Sequence, residues 1–193
     1  ANIEGRINSF AQLCAEDYII CADGGYSLAV AENISPDLLI GDFDSQQELS
    51  DYCCEVIRVK REKDDTDSML CLKHGIQLGF EDFSIIGGIG GSFGHTFSNI
   101  QMLNFAVSCG KRVVLLDKDR YVTVIINGSI SIPRREGASL SVFSLSDVST
   151  GVCEKGVKYP LENATMENSK PIGVSNEFAA PAAEIAVGQG SLL

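Results

Sequence analysis

Through the first 111 residues, short apolar runs alternate with longer stretches in which apolar residues recur every three or four positions. YIICA (18–22), LLI (38–40), EVIRV (55–59) and FSIIGG (83–88) have the length and composition of strands. Between them, GYSLAVAENI (25–34), DDTDSMLCLKHGIQLG (64–79) and HTFSNIQMLNFAVSCG (95–110) carry helical spacing. Strands alternating with helices predict a parallel sheet covered on both faces. Past Asp117 the texture changes. YVTVIINGSISIP (121–133), ASLSVFSLS (138–146), GVCEKGVKYPL (151–161) and EIAVGQGSLL (184–193) read as strands separated by Gly, Pro, Asn and Ser turn signals. The pattern therefore predicts an α/β domain over residues 1–116 and a small antiparallel β-sandwich over 117–193.

Composition narrows the partners. A formal charge of −11 and a pI near 4.5 argue against non-specific nucleic-acid binding, which needs a basic footprint. Any polyanion handled here is small and metal-bound. Seven cysteines, two of them adjacent (Cys53 and Cys54), lack paired zinc-type spacing and do not form a secreted disulfide pattern, which favours a reducing, cytoplasmic setting. No apolar run approaches the roughly 20 residues needed to cross a bilayer, so no membrane association is expected.

Chemistry collects at the strand ends. In an open parallel sheet, ligands bind beyond the carboxyl ends of the strands. Asp23-Gly24-Gly25 follows the first strand, Asp42 and Asp44 follow the second, and KDDTD (63–67) follows the third. The glycine-rich GGIGGSFGH (87–95) follows the fourth. Asp42 and Asp44, two like charges on one extended segment, repel unless a cation lies between them. Carboxylates converging on one edge suit Mg²⁺, which takes one or two of them together with waters and substrate phosphates. The glycines let backbone N–H groups approach phosphate oxygens, with the positive end of the next helix behind them. The set reads as a Mg-nucleotide site on a Rossmann-like α/β/α domain. Taken singly, each piece has a plainer role: Asp64, Asp65 and Asp67 as cap and first-turn acids, Asp23-Gly24-Gly25 as a turn. His74 reads as a helix residue, and His95 as a residue that orients the glycine loop.

In order along the chain, ADGGY (22–26), PDLLIGDFDS (36–45), EKDDTDSM (62–69), GGIGGSFGHTFSNI (87–100), GVKYPLEN (156–163) and GVSNEF (173–178) together resemble the thiamine pyrophosphokinase family. The resemblance runs from about Tyr18 to the C-terminus. It implies transfer of the terminal diphosphoryl group of ATP to the thiamine hydroxyl, giving thiamine diphosphate and AMP. It implies Mg²⁺ held by Asp23, Asp42, Asp44 and Asp64, with Asp42, Asp44 and Asp67 in catalytic roles. Lys63, Thr66, Gly87, Gly88, Gly90, Gly91 and His95 would contact the nucleotide. Ser175 and Asn176 would face thiamine, which in this family lies between the α/β domain of one subunit and the sandwich of its partner, so a homodimer is implied.

One departure stands out. Where the family's loop usually reads GGRxDH, this chain has Ser92 for the arginine and Gly94 for the aspartate. Serine cannot reproduce a bidentate phosphate clamp. Losing one preorganised transition-state contact costs on the order of 3 kcal/mol, roughly a hundredfold in rate. The alternatives are therefore compensation by Lys60, Arg61 or Lys63, or a homologue that binds thiamine or nucleotide with impaired turnover. A strand-ending DxD also occurs in phosphatases of the haloacid dehalogenase type, but the helix-borne lysine and downstream acidic pair of that class are not evident here.

Overall fold

The computed structural model describes residues 6–42 and 52–193. The chain forms two compact units, one running to Tyr121 apart from residues 107–109, the other comprising Val107–Cys109 and Val122–Leu193.

In the first unit β1 (Ile20–Ala22), β2 (Leu38–Gly41) and β3 (Glu55–Arg58) form a parallel sheet in that order. Every residue of β2 is buried, as expected for a central strand covered on both faces. β4 (Asp82–Ile86) pairs in parallel with β5 (Arg112–Asp117), and β6 (Arg120–Thr123) lies beside β5 in a second three-stranded sheet. The parallel strands thus fall into two short sheets, and β5 is a strand the apolar pattern did not single out. Three helices connect them: α1 (Gly25–Ala31), α2 (Asp67–Gln77) and α3 (Phe93–Ser108). α3 buries Asn99, Met102, Leu103 and Ala106, one helical stripe of which a single member is polar. α2 packs on β1 and β2 and closely approaches β4: a Cβ on Gly75 would lie 2.7 Å from the Phe83 ring. Among the described residues no helix is long and apolar enough to cross a membrane.

The second unit is antiparallel throughout. β8 (Ser129–Pro133), β10 (Val148–Lys155), β11 (Leu161–Glu167) and β13 (Ala182–Ala186) form a sheet in the order β11-β10-β13-β8. β9 (Ser139–Val142) pairs with β12 (Gly173–Glu177), and β7 (Ile125–Ile126) with β14 (Ser191–Leu192). Val142, Val152, Val157, Met166, Ala183, Ile185, Val187 and Leu192 make the core between these layers. Two runs expected to be single strands are interrupted. The chain leaves the sheet after Lys155 at Gly156, which adopts φ +73°, and turns before β11; EIAVGQGSLL breaks between Ala186 and Ser191. β11 itself was hidden from the apolar pattern, since only Met166 of its seven residues is buried.

Candidate active site at the carboxyl edge of the parallel strands

Asp23 and Asp42 each directly follow the last residue of neighbouring parallel strands, with Asp42 one register position beyond Asp23. Ala22 pairs with Ile40, so each aspartate lies just beyond the end of its strand at the same edge. The Asp23 N–H donates to the Ile40 carbonyl at 2.9 Å, which ties the turn to β2. Asp23 itself sits at φ +43°, a left-handed conformation that aspartate tolerates better than most residues. Among the described residues, the carboxylates of Asp23, Asp42 and Asp64 have no hydrogen-bond or ion-pair partner. Asp44 lies outside the described residues.

The acids of the KDDTD segment fare differently. Lys63 Nζ is 2.6 Å from Asp67 Oδ1, with both side chains largely buried, and Lys73 pairs with Asp65 at 2.6 Å. Thr66 caps α2 by accepting the Met69 N–H at 3.2 Å. Lys63 and Asp67 are thus brought to one another, and Thr66 has the local role of a cap, while Asp64 has no partner among the described residues.

The glycine loop is held from α3. Gly87, Gly90 and Gly91 adopt φ of +75°, +92° and +66°, which glycine accepts without strain. Gly88 is needed for packing: a Cβ there would lie 2.5 Å from Leu115 Cδ1 and 3.0 Å from Asn99 Nδ2. Buried Asn99 donates to the Gly88 carbonyl at 2.8 Å. The Thr96 hydroxyl accepts from Gly90 N–H at 3.2 Å and donates to its carbonyl at 3.3 Å. Neither Thr96 nor Asn99 is among the residues that the sequence motifs single out; the signal they carry is a polar pair three residues apart at the start of an apolar helix. Ser92 Oγ accepts the His95 N–H at 3.2 Å, so the residue that stands for the family's arginine has a helix-start role here. The His95 side chain is exposed, and Phe93 and Phe97, one turn apart on α3, stack on each other with ring centroids 6.2 Å apart. No hydrogen bond or ion pair links the loop to Asp23 or Asp42 among the described residues.

In the second unit, a register shift in β12 between Gly173 and Asn176 puts Ser175 at φ +57° and exposes it, with its N–H on Ser141 Oγ at 3.0 Å. Asn176 turns inward and is buried. Its amide is fully used inside the protein: Nδ2 donates to Tyr159 O and to Glu154 Oε2, and Oδ1 accepts from the Tyr159 and Glu177 N–H groups. The SNE segment is therefore a bulged stretch of β12.

Two family models match in succession: "Thiamin pyrophosphokinase, catalytic domain" over residues 10–115 and "Thiamin pyrophosphokinase, vitamin B1 binding domain" over residues 128–192. The chain belongs to the thiamin pyrophosphokinase family. It is 28% identical over 165 residues to the thiamine pyrophosphokinase of Bacillus subtilis, covering 82% of this chain and 77% of that protein. Thiamin pyrophosphokinase 1 of Caenorhabditis elegans is 27% identical over 152 residues, 74% of this chain and 62% of that protein. The crystal structure of the Bacillus subtilis thiamine pyrophosphokinase superposes with a TM-score of 0.83 at 25% identity, covering 93% of this chain and 87% of that one. The Candida albicans enzyme shares the fold, with a TM-score of 0.74 at 17% identity over 91% and 81% of the two chains.

The thiamin pyrophosphokinase family uses ATP as its co-substrate. Among the described residues no three His, Cys, Asp or Glu side chains are gathered tightly enough to hold a metal by themselves. Mg²⁺ does not require that, because it is commonly held by one or two carboxylates plus water and substrate phosphate. Two unpartnered carboxylates at one strand edge fit that requirement.

Proposed function

We propose that this chain is an ATP-dependent thiamine diphosphokinase, transferring the terminal diphosphoryl group of ATP to the thiamine hydroxyl and releasing AMP. The observation that carries the reading is the ordered match of both family models, joined to unpaired Asp23 and Asp42 at one strand edge.

The hydroxyl oxygen attacks the β-phosphorus, the bond to the α–β bridging oxygen breaks, and AMP leaves with that electron pair. Catalysis of this kind depends on alignment and on stabilising negative charge. Asp23, Asp42, Asp44 and Asp64 would hold Mg²⁺, which when bound supplies positive charge to the phosphate oxygens. One of the carboxylates Asp42, Asp44 and Asp67 takes the hydroxyl proton. Lys63, kept in place by Asp67, offers its remaining N–H groups to phosphate. Gly87, Gly88 and Gly91 present backbone to the nucleotide, and Thr96 and Asn99 hold that loop in shape. Gly90 contributes less as a donor because its N–H is taken by Thr96. His95, exposed at the start of α3, borders the nucleotide, and Thr66 orders the acidic segment by capping α2. Residues 1–116 make the catalytic domain and 117–193 the thiamine domain, in which exposed Ser175 is the direct substrate contact of the pair Ser175 and Asn176. The protein works as a cytoplasmic homodimer with thiamine at the subunit interface.

The test is AMP release by the purified chain with ATP and Mg²⁺, with and without thiamine, together with identification of thiamine diphosphate. Thiamine-dependent AMP and the diphosphate product are expected. Bound thiamine without AMP at high enzyme concentration would overturn the reading.

A further inference from the structure

β10 carries an acid where its pattern calls for an apolar residue. Val152 and Glu154 are both inward positions of the strand, and Glu154 is 1% exposed, directly opposite core residue Ile185 of β13. Its Oε2 accepts from Asn176 Nδ2 at 3.2 Å, and its Oε1 has no hydrogen-bond partner. No cation answers it: among the described residues Glu154 has no ion pair. The charged groups on the surrounding elements, Lys155, Lys158, Glu162, Glu177 and Glu184, are exposed; Tyr159 is exposed and the Cys153 thiol is half-buried. A buried carboxyl with one bond costs stability, so packing does not explain it.

What the bond does is orient an amide. Asn176 grips both peptide groups of Tyr159, accepting from its N–H at 3.1 Å and donating to its carbonyl at 2.9 Å, much as a neighbouring strand would. Only one of the two Nδ2 protons is needed for that grip. The other goes to Glu154, and with Glu154 absent it would be a buried orphan donor. The turn held in this way is otherwise exposed at Lys158, Tyr159 and Pro160. It is steadied at the surface by Lys158 Nζ on Glu177 Oε1 at 2.9 Å, with the same ammonium 5.5 Å from the Tyr159 ring centroid.

We propose that Glu154 is a positioning residue: it locks the Asn176 amide from inside the sandwich, so that the Lys158–Tyr159–Pro160 turn keeps one conformation and the second unit keeps its affinity for thiamine. The substrate part of this inference rests on the function proposed above; the positioning part stands on the second unit alone. Burial raises the Glu154 carboxyl above its ordinary value, against the opposing hydrogen bond from Asn176.

The experiment compares wild type with Glu154→Met and Glu154→Leu, which keep approximate volume but cannot accept a hydrogen bond, and with Glu154→Gln, which can. Amide hydrogen exchange is followed at Tyr159 and Glu177, whose N–H groups end on Asn176, and at core residues Val152 and Ile185. Thiamine KM and kcat are measured in parallel. The apolar variants are expected to speed Tyr159 exchange about tenfold and to raise thiamine KM about tenfold with kcat within about twofold, while Gln restores both. Wild-type exchange and KM in either apolar variant would overturn the proposal, because Glu154 would then only fill space. Equal acceleration at Val152 and Ile185, with no rescue by Gln, would overturn it too. If the wild type makes no thiamine-dependent AMP, the proposed reaction fails, and the exchange contrast alone decides the role of Glu154.

Discussion

Gly94→Asp is the most informative single change, because the structure sets opposite expectations for it and for its companion, Ser92→Arg. Gly94 lies in the first turn of α3, and a Cβ there meets only Ser92 Oγ, at 3.7 Å, so a side chain enters without displacing anything. Its φ is outside the left-handed range, so the substitution carries no backbone strain. Removing a helical glycine gains roughly 0.3 kcal/mol when the replacement is aspartate. An acid at a helix start adds about 0.3–1 kcal/mol through the macrodipole. Gly94→Asp should therefore stabilise the protein by about 1 kcal/mol, a rise of roughly 2–4 °C in Tm for a chain of this size. Ser92→Arg removes the oxygen that accepts the His95 N–H and should cost about 1 kcal/mol. The double variant is then close to neutral in stability, so any change in its turnover belongs to catalysis. If the arginine clamp is what the loop lacks, thiamine-dependent AMP release should rise by up to roughly a hundredfold. Differential scanning calorimetry and the AMP assay read the two effects separately. A lower Tm for Gly94→Asp would refute the local reading of α3. An unchanged rate in the folded double variant would show that Ser92 and Gly94 cost the enzyme nothing.

Asp23→Asn and Asp42→Asn should each lower Mg²⁺-dependent turnover by at least about a hundredfold while leaving the melting temperature unchanged or slightly higher, since no partner among the described residues is lost; normal turnover in both would remove the metal site from this edge. Gly88→Ala should destabilise by about 1–3 kcal/mol, because the new methyl meets fully buried Leu115 and crowds the amide of Asn99; chemical denaturation measures this, and a neutral result would mean the loop backbone shifts freely. The fourth concerns pH. The folded-state pKa of Glu154 is raised, so its contribution is fully present below the unfolded carboxyl value of about 4.3 and is lost as pH rises through the folded value. The Tm of Glu154→Gln should therefore gain on wild type from acid to neutral pH, and parallel Tm profiles would contradict this.

The texture of the chain carried much of the fold. The alternation of β1, α1, β2, β3, α2, β4 and α3 followed from apolar spacing, because a strand buried on both faces and a helix with one buried stripe leave different periods in the sequence. β5 and β11 escaped for opposite reasons. β5 directly follows a helix with no turn cluster to announce it beyond Gly110 and Lys111, while β11 buries only Met166 of its seven residues and has little apolar signal. The strand-end acids could be found from the sequence because topology puts the residue after each parallel strand at one edge. Which of them would be paired could not, since Lys63 reaches Asp67 and Lys73 reaches Asp65 only once α2 has formed.

The second unit shows the division most sharply. From the sequence alone, Ser175 and Asn176 were a polar pair with one shared role. The bulge in β12 sends them to opposite sides, Ser175 outward in a left-handed conformation and Asn176 into the core with every amide group engaged. Glu154, an ordinary acid in the sequence, becomes a buried group only when β10 pairs with β11 and β13 and β12 brings Asn176 to it. The chain order determined the family, the reaction class and the strand ends that carry the chemistry, because these depend on local period and on residues close together in sequence. Tertiary structure alone decided which polar side chains remain free for a ligand, because burial and hydrogen-bond satisfaction depend on contacts between residues far apart in the chain.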